Sequence, residues 1–215
     1  MRVSWALSAL LRAAALAGVA LLSACEGLLP GSGPPPDLFT LTPKTTFGER
    51  LPTADWQLVV EEPVAAGGLN VARIALRTKP TELNYFARAQ WTERAPQMVQ
   101  TLLVESFENS RSIVAVGRQA IGLRSDFNLK SELREFQAEY AAENAAPIVR
   151  VRLNVKIVRQ PRRDIIASEN FEAIAQARAN TMDEIVDAFD QALGKVLRRV
   201  VEWTLATGQA NRRPS

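Results

Sequence analysis

The 215-residue chain contains no histidine and a single cysteine, Cys25. Without histidine there is no Ser-His-Asp or Cys-His machinery and no ordinary zinc site. With one cysteine there is no intramolecular disulfide. Aromatic residues make up only 7% of the chain. The nucleotide-binding and hydrolase signatures are also missing. Gly67-Gly68 has no P-loop pattern around it and reads as a turn, no Gly-x-Ser-x-Gly occurs, and no Ser-x-x-Lys opens a helix. No cofactor motif is present. An apolar run of roughly 20 residues, enough to span a bilayer, is absent as well. The uncharged stretch from Ala13 to Leu22 is about half that length, and extending it back to Trp5 puts Arg12 in its middle, where a charge costs about 2.5–3.5 kcal/mol.

What stands there instead is a secretory signal: Arg2 and Arg12, an apolar core, and small residues before a cut. It closes on Leu22-Ser23-Ala24-Cys25, which resembles the lipobox of bacterial lipoproteins. The resemblance implies that the thiol of Cys25 is alkylated with diacylglycerol, that the chain is then cut before that cysteine, and that the new amino group is acylated. The competing reading is a buried free cysteine at the end of a membrane helix, and the shortness of the run and Arg12 count against it. Several acyl chains hold a membrane far more firmly than one.

Removing Met1–Ala24 takes 24 of the 215 residues and leaves 191, enough for one domain with a real core. Two arginines and no acid leave with the signal, so 26 basic against 23 acidic residues become 24 against 23. The net charge of +1 offers no nucleic-acid signature. From Cys25 to Pro36 the chain is a lipidated cysteine followed by a Pro/Gly-rich tether. The stretch from Glu26 to Pro36 reaches about 34 Å at roughly 3.1 Å per residue. In enteric bacteria aspartate directly after the cysteine favours the inner membrane, so Glu26 points to the outer one.

Residues 37–208 read as a single domain and 209–215 as a polar tail. Strands are expected at Leu38–Thr42, Trp56–Glu61, Ile74–Thr78 and Asn84–Trp91. Thr92 is placed to cap a helix to about Asn109, with Val99, Leu102, Leu103 and Phe107 as its stripe. Ile113–Val116 follows as a short strand. Phe127, Leu129, Ser131 and Leu133 alternate in one parity and Phe136, Ala138 and Tyr140 in the other, which predicts a β-bulge near Arg134–Glu135. Val149 to Ile157 alternates cleanly, turns at Gln160–Asp164 and returns from Ile165 to about Arg178. Thr181-x-x-Glu184 has capping-box spacing. It opens a last helix striped by Ile185, Phe189, Leu193, Val196 and Val200, stopping near Gly208. Arg198 and Arg199 in its last turns would suit the helix dipole. The pattern predicts an α+β fold in two layers, a mostly antiparallel sheet with two long helices packed on one face.

The order of these features is similar to a known family. The lipobox and tether are followed by Phe39-x-Leu41, Glu61-Glu62-Pro63, Leu69-x-x-x-Arg73-Ile74, Tyr85–Trp91 before a helix, Phe171-x-Ala173 and Trp203-Thr204-Leu205. Together they resemble the ABC-type transport auxiliary lipoprotein family, from about Asp37 to Leu205. The resemblance implies a non-enzymatic periplasmic lipoprotein beside an MCE-domain protein and an ABC permease and ATPase. It further implies a role in lipid movement between the inner and outer membranes, room for a homo-oligomer, and no catalytic residue. A structural envelope lipoprotein without a transport role is the alternative, and an envelope hydrolase a remote third.

Candidate contact residues are few. Arg150, Arg152 and Lys156 share one strand face, either pairing with Glu132 on a neighbouring strand or forming part of a docking surface. Arg159, Arg162 and Arg163 crowd a hairpin tip that could meet a partner or lipid headgroups. Glu61 and Glu62 are adjacent on a strand, face opposite ways and make a poor acid/base pair. Trp56, Tyr85 and Trp91 read as core aromatics.

Overall fold

A computed structural model describes residues 34–48, 50–118 and 125–212. Leu22, Ser23, Ala24, Cys25, most of the tether and the last three residues lie outside the described residues. The longest elements come from the cleanest alternation: β7 (Phe127–Glu139), β8 (Ile148–Arg159) and β9 (Asp164–Gln176). They form an antiparallel meander. Its ladder slips where the apolar parity slips: Leu133 faces Leu153 and Glu135 faces Arg152, leaving Arg134 as the extra residue. The bulge brings Phe136 and Ala138 back to the core side, where both are buried.

The other edge of β7 is shared by three short segments lying end to end and parallel to it. β2 (Ala54–Val60) pairs near Phe127, β3 (Val64–Ala65) at Glu132, and β4 (Arg73–Arg77) near Glu139. β5 (Asn84–Trp91) runs antiparallel to β4, while β1 (Asp37–Phe39) lies parallel to β5 and β6 (Ile113–Gly117) parallel to β2. The fold is α+β with a nine-stranded mixed sheet among the described residues. Its long ladders are antiparallel, and its short strands dock parallel except for the antiparallel β4–β5 pair.

Helix α1 (Ala95–Ser110) links β5 to β6, and α2 (Met182–Ala210) follows β9. At about 1.5 Å per residue, the 29 residues of α2 match the length of the 13-residue strands at about 3.3 Å each. Its buried stripe, from Ile185 to Gly208, lies over the odd-numbered residues of β8. Phe189 meets Trp91 and Phe136 with ring centroids 5.1 Å away in both cases. A strap between β1 and β2 crosses the helices. Thr42 N–H donates to Asp190, Lys44 N–H to Ser106 Oγ and Gly48 N–H to Glu202.

The caps differ from expectation. Thr92 does not open α1, because its N–H is donated to Phe39 O and the chain bends there just past the end of β5; Arg94 is the N-cap residue. Thr181 is the N-cap of α2 but makes no side-chain cap bond, and Glu184 is drawn to Arg178. The helix runs two residues past Gly208, so Arg198 and Arg199 are not in its last turn. Arg198 pairs with Glu202, and Arg199 donates to the β9 carbonyl of Glu172. The cation at the α2 C-terminus comes from another element: Arg159 Nη2 donates to Asn211 O at 3.0 Å.

Gly208 sits against Trp56. A Cβ there would fall 2.3 Å from Trp56 Cζ2, whereas one at Gly194 would meet nothing within 4 Å. Alanine gains about 1 kcal/mol of helix propensity over glycine at either position. Overpacking against a buried indole costs about 1–3 kcal/mol. Gly194→Ala should therefore raise the urea midpoint and Gly208→Ala lower it. Shifts of the same sign would contradict this packing.

Candidate interaction surface

Both helices cover one face of the sheet, so among the described residues the other is closed only by its own side chains. Across β7, β8 and β9 these form a polar ladder. Arg150 Nε lies 3.0 Å from Glu139 Oε1, its Nη1 donates to Glu172, and Arg152 Nη2 is 2.9 Å from Glu135 Oε1. Asn154 donates to Asn170 at 2.9 Å, and Arg134 bridges Glu132 and Asn170. Glu132 therefore holds the bulge arginine. The carboxylates that meet Arg150 and Arg152 are Glu135, Glu139 and Glu172. The three arginines face four glutamates, so this part of the face is neutralised from within.

Burial pushes the Glu139 carboxyl up, but hydrogen bonds from Arg150 and Gln137 outweigh it and hold its pKa below the ordinary 4.5. Arg150 is pushed up in turn, chiefly by its bond to Glu139. A carboxyl with a depressed folded pKa stabilises the fold above its unfolded value, and that contribution is lost as pH falls through the folded one. Arg150→Met should cost about 1 kcal/mol near neutral pH, a figure kept small by solvent screening. The gap from wild type should shrink below about pH 4.5. Melting curves across that range test it, and a gap independent of pH would contradict it.

The remaining sequence-predicted cations separate by position. Lys156 is exposed six residues beyond Arg150 on β8, about 20 Å away at 3.3 Å per residue. Its cross-strand neighbour on β7 is Lys130, which pairs with Glu61 at 2.7 Å. Arg159 is committed to the α2 C-terminus. Arg162 and Arg163 are exposed at the tip of the β8–β9 hairpin. Among the described residues no carboxylate lies within ion-pair distance of Lys156, Arg162 or Arg163. The structure thus splits the six candidates. Arg150, Arg152 and Arg159 are held by the protein's own groups, and Lys156, Arg162 and Arg163 are not.

Beside the tip, on the helix-free face, lies a groove of about 950 Å³ lined by Gln57, Val59, Asn128, Val158, Gln160 and Ile165 among others. Val59 and Val158 are buried yet lie outside the main core, and Ile165 is 60% exposed. The sequence pattern did not mark these three as a set, because they come from β2, β8 and β9 and meet only through the strand register. Glu61 lines the groove and is engaged by Lys130 and Asn128; Glu62 pairs with Arg94. At the opposite pole a smaller concavity of about 460 Å³ is lined by Leu76, Tyr140 and Asn180, with Tyr140 O–H 2.8 Å from Asn180 Oδ1. Among the described residues no helix is long and apolar enough to cross a membrane.

The family model for the ABC-type transport auxiliary lipoprotein component matches residues 39–201. The crystal structure of protein XCC0632 from Xanthomonas campestris is 32% identical, covering 81% of this chain and 98% of that one, with a TM-score of 0.77. A second solved structure, of an uncharacterized protein, shares the fold at 16% identity and a TM-score of 0.59, covering 78% of this chain and 97% of that one. The uncharacterized protein bll6063 of Bradyrhizobium diazoefficiens is 26% identical over 177 residues, 81% of this chain. The chain spans about half the length of that curated relative, 47%.

Proposed function

Because the chain belongs to the ABC-type transport auxiliary lipoprotein family, we propose that it is a non-enzymatic periplasmic subunit of an MCE-associated intermembrane lipid transport system. In this reading it is anchored through acyl chains, palmitate among them, on Cys25. The anchor lies in the inner leaflet of the outer membrane of a Gram-negative bacterium. Its partners are an MCE-domain protein and the ABC permease and ATPase of the same system. A homo-oligomer is compatible with it, nucleic acid is no partner, and loss of the protein weakens the outer membrane.

The observation that carries this reading is the family match across nearly the whole globular domain, downstream of Leu22-Ser23-Ala24-Cys25. The chain's own chemistry agrees: with no histidine and its one cysteine spent on lipid, what remains on the surface is charge suited to docking. Genetic interaction tests it. Deleting the gene should admit a hydrophobic dye through the envelope, and removing the permease of the same system from that strain should add nothing. Additive defects would put the protein outside the transport system.

A further inference from the structure

We propose that the β8–β9 tip and the groove beside it seat an acidic polypeptide segment of a partner protein, with an apolar side chain over Ile165 and carboxylates on Lys156, Arg162 and Arg163. This rests on the transport-accessory reading for where the partner comes from, but the chemistry of the site stands on its own residues.

The first ground is charge. The carboxylates in the groove wall are already used, Glu61 by Lys130 and Asn128 and Asp126 by the N–H of Gln57. Lys156, Arg162 and Arg163, which have no ion-pair partner among the described residues, outnumber Asp164, the one acid of the turn. The second ground is backbone. Arg163 has φ 63°, in the left-handed region that favours glycine and disfavours side chains with a Cβ. Its N–H donates to Arg159 O, closing the turn, while its side chain is exposed. Among the described residues its guanidinium meets no carboxylate within ion-pair distance, which leaves it open to a ligand.

The third ground is shape. A bilayer is flat and cannot enter a concavity between β2 and the hairpin, whereas an extended or helical segment can. Gln57 and Gln160 in the wall offer side-chain amides for the hydrogen bonds such a segment needs. Ile165, 60% exposed beside buried Val158 and Val59, supplies the apolar contact on which an interface centres. The rim cations then steer and orient the partner more than they hold it.

The test uses the full-length protein in isolated envelopes, with a photo-crosslinking residue at Gln160 and a control at Asn144 on the opposite pole. The crosslinked peptide is sequenced by mass spectrometry. We expect a polypeptide adduct from Gln160 alone, on a segment carrying Asp or Glu. Its yield should fall about tenfold in Arg162→Glu/Arg163→Glu, and fall when ionic strength is raised from about 0.05 to about 0.5 M. Arg163→Gly guards against misfolding: it relaxes the turn, so its melting temperature should be unchanged or higher while the yield drops. Adducts on lipid, a segment without acids, or a yield indifferent to charge reversal would each overturn the site. If the acidic segment belongs to a protein outside any transport system, the site stands and the transport reading falls. If transport components crosslink only from Asn144, the reading stands and the site falls.

Discussion

Phe189→Ala should cost the domain about 3–5 kcal/mol, the range for deleting a buried aromatic ring. Domains of this kind are stable by only about 5–15 kcal/mol, so the variant should be marginal at growth temperature. The reason lies in what Phe189 joins. It is fully buried on α2 and touches Trp91 of β5 and Phe136 of β7, which themselves lie 5.6 Å apart. One ring therefore ties the second helix to both halves of the sheet, and its aromatic pairs add about 0.5–1.5 kcal/mol each beyond the area they bury. Phe171 and Trp203 form a similar edge-on pair at 5.5 Å, but Trp203 is only half-buried, so Trp203→Ala should cost less. Urea unfolding of the two variants gives the comparison. A loss below about 1 kcal/mol for Phe189→Ala would mean that this cluster is not the centre of the core.

Cys25→Ser, made behind a secretory signal that is cut without lipid, should move the protein wholly from the membrane fraction to the soluble one while leaving its melting curve unchanged. An oxygen nucleophile does not take the diacylglycerol. Each buried CH₂ of an acyl chain contributes about 0.8 kcal/mol to membrane binding, so losing all the chains removes the anchor. Folding should not suffer, because among the described residues the core runs from Leu41 to Leu205. Fractionation at high salt separates the two ways the prediction can fail. A variant released only by salt is held by a charged partner, and one that stays bound regardless was never anchored through Cys25.

The features legible in the sequence were those whose cause is local. The bulge at Arg134 followed from a change of parity between Leu133 and Phe136, and a residue's neighbours settle that. The stripe from Ile185 to Val200 and the clean alternation of Val149 to Ile157 are local in the same way. Non-local partners were not legible. The sequence offers Arg150 and Arg152 either Glu132 or a docking surface, yet strand register sets Glu135, Glu139 and Glu172 beside them and leaves Glu132 to Arg134. Thr92 has a capping residue's chemistry, but Phe39 claims its N–H from 53 positions earlier in the chain. The two-residue β3 has no pattern to read, and its place comes from lying between β2 and β4 along β7. The tip cations were visible as a cluster; which were free required knowing that Arg159 reaches Asn211 across the fold.

The transport-accessory role is tested most directly by purifying the tagged, full-length lipoprotein from its own envelope in mild detergent and identifying what accompanies it by mass spectrometry. The account predicts an MCE-domain protein, with or without its permease and ATPase, in amounts that fall when Arg162 and Arg163 are reversed in charge. Recovery of the lipoprotein alone, or only with cell-wall and outer-membrane scaffolds, would contradict it and leave a structural envelope lipoprotein that shares the family's fold.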